Sequence, residues 1–507
     1  MELAPTAFVP KPIRIVVIGA GISGIQFLKD VTTRLPNVNI TVYDKNSEEG
    51  GTWAENRYPG CACDIPSHAY QYSWNPNPRW SRLYAEAAEI LDYLKSTVTK
   101  FDLRRYIQFG TTCTGANWDE INSEWNVSLQ SNENTDNGVW VKCDVFVIAI
   151  GRLNNWKLPD IKGLDTFQGR VIHTANWPQG LDYRDKDIAV IGNGASSTQC
   201  LASLRKDSHD TIKKFENEPD SYLQFRLEIE KKLAHGFKGL WANSDAAKEF
   251  TQNAKQHMND KINDRQTLKA LLPTKYKAGC RRFTPADKYL EALNQSNVEL
   301  ISTPIKLVEG NAIVTTDNKR RTYDMIVCGT GFDPYAPRFP IKGSGTADLS
   351  ELWSTDGGYE SYLAATVAGF PNFFVFNPPI CPVNGSAYPG IERTSDYIIR
   401  VIDRLQKDCL RSVCVKKSAQ DAFNRWVQSR MPEMVWSEPC SSWYKSKKKV
   451  IVPWPGTILH YYSATEIVRW EDYDLKFEDD DQKFASFGNG ITVEGFTPKS
   501  IPWLRCN

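Results

Sequence analysis

Apolar residues of this chain concentrate in a few short, uninterrupted runs, and the main runs end at glycines. Residues 15–18, 145–150, 188–191 and 325–328 are rich in valine and isoleucine and carry no charge. Strands buried on both faces of a parallel sheet have this pattern, because helices cover both faces. The pattern predicts an α/β fold built on parallel strands.

The first run leads into a glycine-rich turn. Gly19, Gly21 and Gly24 follow it, a helix-like segment comes next, and a second apolar strand ends at Asp44. In such a turn the glycines allow a tight bend, close approach of the backbone to a pyrophosphate and close packing of helix on strand, while the acid binds ribose hydroxyls. The stretch predicts a dinucleotide site; the alternative is a glycine-rich turn without a ligand.

A second turn follows the run at 188–191 and has Gly192 and Gly194 in the same spacing. Two such turns predict two nucleotides, and a bound flavin with a diffusing nicotinamide is the natural pair for hydride transfer. An internal duplication with one inactive site is the alternative. The second unit also departs from expectation, because no apolar β-branched run occurs between 202 and 270, where its second strand belongs.

In that interval the residues instead recur at helical spacing, which predicts helices at 212–237, 246–258 and 260–272. Strands are predicted again at 298–301, 306–308 and 312–315. The second unit is therefore predicted to be truncated, with a helical insert in place of its second strand. A further helix is predicted at 394–405, after the breakers Pro378-Pro379 and Pro389-Gly390.

Composition excludes several classes of protein. The chain has 507 residues with a net charge of +1, so no overall field draws it to nucleic acid. Its twelve cysteines lack CxxC pairs and are interpreted as free intracellular thiols rather than a disulfide framework or a metal site. No secretory signal or membrane-length apolar stretch is evident. We expect a cytoplasmic protein without metal, membrane contact or obligate protein partner.

Between the two turns, residues 167–178 read FQGRVIHTANWP and match the pattern FxGxxxHxxxW followed by Pro or Asp. This segment resembles the signature of class B Baeyer–Villiger flavin monooxygenases. Blocks along nearly the whole chain resemble the same family, and the C-terminal half is most similar to its fungal natural-product branch. These blocks are 50–53, 58–60, 63–65, 279–282, 331–333, 368–372, 442–445 and 454–456.

The resemblance implies that NADPH reduces FAD, that O2 is activated on the reduced flavin, and that oxygen is inserted beside a ketone carbonyl to give an ester or lactone. It implies a bulky polyketide or terpenoid ketone as substrate. By the match, Arg282 is the catalytic cation that stabilises developing negative charge, and Asp64 holds its guanidinium in place. From the residues alone, a surface position for Arg282 and a turn carboxylate for Asp64 stay open as alternatives. His173 is interpreted as a linker residue rather than a general base, and Trp443 as a pocket or core residue.

The resemblance also implies a division of the chain and a set of cofactor-binding residues. The FAD-binding domain is expected at 1–160 and 326–507, the latter with the substrate region. The signature linker and the start of the NADPH-binding domain are expected at 161–204, a helical insert at 205–280, and the end of that domain at 281–325. The expected cofactor-binding residues are Gly19, Gly21, Gly24, Asp44, Gly51, Thr52, Trp53, Cys63, Asp64, Ile65, Tyr70, Gly192, Gly194, Ser196, Ser197, Gln199 and Arg281.

The absent strand is where family members place a cation for the 2′-phosphate of NADPH. Arg205 and Lys206 lie nearby in sequence, and Arg281 resembles another family cation that reaches that phosphate. Three explanations stay open: NADPH binds in a reduced domain, the chain is an imperfect gene model or splice form, or the fold serves a non-redox cyclisation. Heteroatom oxidation and a catalytically silent flavoprotein also compete with Baeyer–Villiger chemistry.

Overall fold

The structure is a computed structural model. It describes residues 6–133, 138–203, 219–334, 337–354, 358–446 and 449–492, and for 219–221 the backbone alone.

The elements fall into parallel strands, short antiparallel sheets and helices. The strands are β1 (Ile13–Ile18), β2 (Val38–Tyr43), β3 (Ile107–Gln108), β4 (Thr111–Asp119), β5 (Glu124–Ser131), β6 (Gly138–Cys143), β7 (Val145–Ile148), β8 (Arg170–His173), β9 (Ile188–Ile191), β10 (Ile305–Glu309), β11 (Ala312–Thr315), β12 (Arg320–Thr322), β13 (Met325–Cys328), β14 (Ile341–Lys342), β15 (Phe373–Val375), β16 (Leu410–Val415), β17 (Lys445–Ser446), β18 (Lys449–Val450) and β19 (Tyr473–Phe477). The helices are α1 (Ile22–Arg34), α2 (Thr52–Glu55), α3 (Ala87–Lys100), α4 (Ala195–Ser203), α5 (Pro219–His235), α6 (Asp245–Lys261), α7 (Arg265–Leu271), α8 (Asp287–Ala292), α9 (Leu349–Ser354), α10 (Ala387–Lys407), α11 (Lys417–Arg430) and α12 (Ile458–Ala464).

The first unit is a five-stranded parallel sheet in the order β15-β7-β1-β2-β3. Its central strands are largely apolar and buried, as the continuous runs predicted. α1 packs on one face beside α10, and the sheet β14-β4-β5-β6, in which only the β14–β4 pair is parallel, encloses a separate core on the other. The chain leaves β1 toward β2 and returns on the opposite side as β7, so a switch point lies at the carboxyl end of β1.

The second unit is a smaller parallel sheet in the order β8-β13-β9, with the hairpin sheet β10-β11-β12 packed beside it. Its own core contains Leu164, Phe167 and Ile326. The strand expected at 298–301 is wrong: that segment is irregular and contributes Val298 and Leu300 to a satellite apolar cluster under the helices.

The helical insert is present as α5, α6 and α7. Within 219–270 the described chain has no strand, in agreement with the missing apolar run. Residues 204–218 lie outside the described residues, and with them Arg205 and Lys206. The proposed truncation of the second unit therefore stays a prediction.

Two other expectations are corrected in the C-terminal part. Pro389-Gly390 does not break a helix, because α10 begins at Ala387 with Ser386 as N-cap and Pro389 falls in the first turn, where no backbone donor is needed. The cysteines are not all free thiols, since Cys280 and Cys440 form a disulfide. No described helix is both long and apolar enough to cross a bilayer.

Candidate active site

The first glycine turn lies at the switch point, between the end of β1 and the start of α1. Gly19 adopts φ +108°, and a Cβ there would lie 2.6 Å from the carbonyl oxygen of Ala149. A Cβ on Gly24 would lie 1.9 Å from the carbonyl oxygen of Gly19. Gly21 is the N-cap residue of α1 and supplies no side-chain cap, so the first N–H groups of the helix are available to an anion.

Asp44 is buried at the end of β2, beside this turn. Its Oδ2 accepts the Ala20 N–H at 2.6 Å and its Oδ1 accepts the Asn46 N–H at 2.8 Å. Burial raises the pKa of Asp44, and these two hydrogen bonds oppose the rise. Each carboxylate oxygen keeps a second lone pair, so the side chain can still accept from a ribose hydroxyl.

The segment from Gly50 to Tyr70 runs over the same turn and builds an aromatic wall. A Cβ on Gly51 would lie 3.1 Å from the Cα of Gly21, so the two backbones nearly touch. The Trp53 and Tyr70 rings meet edge to face at 5.6 Å, and Tyr70 meets Tyr388 at 5.0 Å. Thr52 is exposed and Ile65 is buried. Burial raises the pKa of the Cys63 thiol to about 11, so it is not a thiolate nucleophile near neutral pH.

Arg282 and Asp64, which are 218 positions apart, form a two-pronged ion pair. Nε donates to Oδ2 at 2.6 Å and Nη2 to Oδ1 at 2.8 Å, while Nη1 donates to the Val383 carbonyl at 3.2 Å. Burial opposes the charge, but Asp64 outweighs it and raises the pKa of Arg282. The side chains are 30% and 21% exposed, so they are partly shielded but reachable. This geometry fixes a permanent cation in one orientation.

Tyr444 completes the surroundings of this cation and was missed by the sequence reasoning. Burial raises the pKa of Tyr444, and the nearby Arg282 guanidinium opposes the rise. The Cys280–Cys440 disulfide joins the segment before Arg282 to the segment before Tyr444. The sequence signal was the block 442–445, in which only Trp443 was singled out; its ring packs edge to face on Tyr444 at 4.6 Å.

The second glycine turn connects β9 to α4. A Cβ on Gly192 would lie 2.4 Å from the Gly329 carbonyl oxygen, whereas Gly194 faces open space. Ser197 is buried and donates to the same carbonyl at 3.2 Å, and Ser196 lies near the start of α4. Arg281 is exposed beside Arg282. The turn keeps the room that a pyrophosphate needs.

Gln199 of α4 joins the two units. Its Nε2 donates to the Ala62 carbonyl at 3.0 Å, and its Oε1 accepts the Tyr58 hydroxyl at 2.8 Å. A Cβ on Gly60 would lie 1.8 Å from the Ser203 hydroxyl oxygen, so this loop and α4 approach closely. The amide of Gln199 is engaged by the protein, and a cofactor contact stays a prediction.

His173 of the signature lies at the end of β8. It is buried, stacks on Trp156 at 5.1 Å and accepts the Ala175 N–H through Nδ1 at 3.2 Å. Burial lowers the pKa of His173. These contacts support the structural interpretation over a general base.

The residues of the first unit fit a flavin dinucleotide. Four features along one edge of the sheet suit this group: the uncapped N-terminus of α1, the close approach of Gly21 and Gly51, the Asp44 carboxylate, and the aromatic wall that contains Trp53 and Tyr70.

A family model described as FMO-like, a flavin-binding monooxygenase-like family, matches residues 12–343. This chain belongs to that family. The predictions of a flavin monooxygenase and of its α/β fold are confirmed. An FAD-binding monooxygenase of Dothistroma septosporum is 36% identical to this flavin monooxygenase, over 96% of this chain and 83% of the relative. A Baeyer–Villiger monooxygenase of Streptomyces coelicolor is 32% identical, over 91% and 92% of the two chains.

A solved structure of similar fold is the cyclohexanone monooxygenase from Rhodococcus sp. Phi1 bound to NADP+. It has a TM-score of 0.79 and 25% identity, and the match covers 92% of this flavin monooxygenase and all of that chain. A steroid monooxygenase bound to NADP matches with a TM-score of 0.76 and 26% identity, over 92% and 100% of the two chains.

Proposed function

We propose that the protein is a Baeyer–Villiger monooxygenase that uses FAD, NADPH and O2 to insert oxygen beside a ketone carbonyl, giving an ester or lactone. The observation that carries this proposal is the ion pair of Arg282 with Asp64, fixed beside Tyr444 and reachable from solvent. The flavin family and the two nucleotide turns supply the redox context for this cation.

Bound FAD supplies the hydride acceptor and the site at which O2 is activated. Gly19, Gly21 and Gly24 would admit its pyrophosphate, and Asp44 would accept its ribose hydroxyls. Trp53 and Tyr70 would exclude water from one side of the ring system. These roles use the backbone and the aromatic wall rather than a catalytic base.

Arg282 contributes electrostatic stabilisation. During insertion, negative charge moves onto the former carbonyl oxygen of the ketone, and a cation fixed beforehand stabilises that charge without reorganising. Asp64 fixes the guanidinium plane by accepting two hydrogen bonds, and Nη1 donates a third to the Val383 carbonyl. Because the pKa of Arg282 is raised, the residue stays charged at every working pH and transfers no proton.

NADPH is proposed to bind at Gly192 and Gly194, with Arg281 as the cation for its 2′-phosphate. The open space at Gly194 supports a bound pyrophosphate, and the exposure of Arg281 allows a phosphate to reach it. The substrate is proposed to be a bulky polyketide or terpenoid ketone, supported by the resemblance of the C-terminal half.

Anaerobic stopped-flow reduction by NADPH tests the redox half of this proposal. We expect the purified yellow protein to bleach rapidly, and NADPH consumption in air to rise when a substrate ketone is added. A flavin-loaded protein that does not bleach would exclude NADPH use and leave a silent or non-redox flavoprotein. Formation of a sulfoxide or N-oxide without any ester from ketones would assign heteroatom oxidation instead.

A further inference from the structure

Arg152 is a second arginine at the candidate site, and no motif or proposed role above uses it. It follows Gly151 after the end of β7, and its Nη2 points at the Pro378 carbonyl, 3.4 Å away, and at the sulfur of Cys381. Its Nη1 is sealed from solvent and has no hydrogen-bond partner in the described structure. A buried guanidinium N–H without an acceptor is unfavourable unless a ligand supplies one.

The charge of Arg152 is also unbalanced locally. Arg282 is paired with Asp64, but no ion pair found among the described residues includes Arg152. Both arginines lie close enough to Tyr444 to oppose the burial-driven rise of its pKa. Around Tyr444 the two guanidinium groups are thus accompanied by one carboxylate, that of Asp64. Asp333 and Arg338 also line the cavity beside Arg152 and carry opposite charges, so a further negative charge would balance Arg152.

The surroundings of Arg152 indicate the shape of that ligand. The guanidinium lies over the Trp443 ring, 5.8 Å from its centre, so a cation and an indole ring are in contact at this position. Arg152 also lines a cavity with apolar walls from Ile148, Ile150 and Phe376. Flat apolar groups carrying an ionised oxygen match this combination of ring, cavity and cation.

We propose that Arg152 binds an ionised oxygen of the substrate, a phenolate, enolate or carboxylate, and thereby selects ketones in which this anion sits on a flat apolar body. Arg152 is then a specificity-determining residue, distinct from the cation at Arg282. Arg152 and Trp443 are half-buried as whole residues, so a ligand can approach them from solvent and meet the shielded Nη1 inside the cavity. The inference rests on the proposed function for the identity of the ligand as a ketone substrate.

Calorimetric titration of the FAD-loaded protein tests anion binding without turnover. The probes are 2-naphthoate and 2-naphthamide, which share one flat body and differ in charge. We expect the wild type to bind the carboxylate at least ~10-fold more tightly, since charge-assisted hydrogen bonds outweigh neutral ones. Arg152→Met should abolish that preference and leave the amide affinity unchanged, while Arg152→Lys should retain part of it. Arg152→Gln replaces the methionine variant if the latter loses FAD.

Equal binding of the two probes by the wild type, or an unchanged preference in Arg152→Met, would overturn the proposal. A changed flavin absorption spectrum in Arg152→Met with the carboxylate preference intact would assign the guanidinium to the flavin and overturn it too. A matched pair of ketones, 4-acetylbenzoate and 4-acetylbenzamide, then links binding to turnover through KM. Carboxylate preference without ester from any ketone would refute the proposed function while leaving the anion site standing.

Discussion

At the scale of single residues, the account depends on one cation held by one carboxylate across 218 positions of sequence. Sequence motifs marked Arg282 and Asp64 separately, each from its own block. The distances of 2.6 and 2.8 Å between their polar atoms show that folding brings them together. Tyr444 lay inside the block 442–445 but had no role assigned to it, and Arg152 lay in no block, because a lone tyrosine or arginine has no distinctive spacing.

Arg282→Met is expected to keep FAD and normal reduction by NADPH but to lower ester formation by ~100-fold or more, the effect of removing a fixed electrostatic donor. Product analysis and stopped-flow reduction measure the two quantities separately. Lys288→Met, which removes an exposed cation of α8, is the matched control and should change neither. An Arg282→Met enzyme with a normal ester yield would remove Arg282 from the proposed role.

At the scale of elements, contacts between backbones decide whether the first glycine turn can hold a nucleotide. Gly24→Ala places a methyl group 1.9 Å from the Gly19 carbonyl oxygen, so α1 must move away from β1. We expect a colourless protein, measured by the ratio of flavin to protein absorbance. Gly236→Ala is the control, since a Cβ there meets no described atom within 4 Å. A fully yellow Gly24→Ala preparation would contradict the assigned nucleotide turn.

The docking of α5 on the first unit is expected to weaken in acid. Nδ1 of His68 lies 3.3 Å from the Tyr222 hydroxyl oxygen, and burial, then Arg226, lower the pKa of His68 to about 4. The unfolded chain binds this proton near its ordinary pKa of 6.5. The unfolded state therefore holds more protons between these values, so the stability contribution is complete above about pH 6.5 and falls toward pH 4.

Melting temperatures of the wild type and of His68→Gln, measured from about pH 6.5 down to about pH 4, test this predicted loss of stability in acid. Other acids titrate alike in both proteins, so the difference isolates His68. We expect the wild type to lose more stability than the variant as the pH falls. Parallel curves would show that His68 is not held neutral by the fold.

The sequence predicted elements well where apolar residues formed a continuous run or a regular spacing. It predicted them poorly where tertiary packing decided the local structure. The apolar runs at 15–18 and 325–328 became β1 and β13, because a buried parallel strand needs nothing more than a continuous apolar run. The run at 298–301 is apolar for another reason, since it packs under helices rather than in a sheet. The helix break predicted at Pro389 was wrong because a proline is tolerated in the first turn of a helix.

At the scale of the whole molecule, a disulfide joins parts of the chain that are 160 positions apart. It anchors the segment before Arg282 to the segment before Tyr444. Cysteine spacing gave no indication of it, because two cysteines this far apart carry no sequence signature. In the chain-entropy account, a crosslink closing so long a loop contributes about 2–5 kcal/mol.

The double variant Cys280→Ser/Cys440→Ser is expected to have a free energy of unfolding about 2–5 kcal/mol lower than the wild type. Denaturant titrations with and without a dithiol reductant measure it. The wild type should lose stability in reductant, whereas the double variant should not respond. Equal stability of both proteins in oxidising buffer would show that the bridge does not form.

The central claim, insertion of one oxygen atom of O2 beside a ketone carbonyl, is tested most directly with isotopically labelled O2. The FAD-loaded protein is incubated with NADPH and a panel of bulky ketones, and products are analysed by mass spectrometry. The account predicts an ester or lactone carrying one labelled atom in its ring or chain oxygen, with one NADPH consumed for each product. NADPH oxidation that yields only hydrogen peroxide with every ketone, or an ester without label, would contradict it.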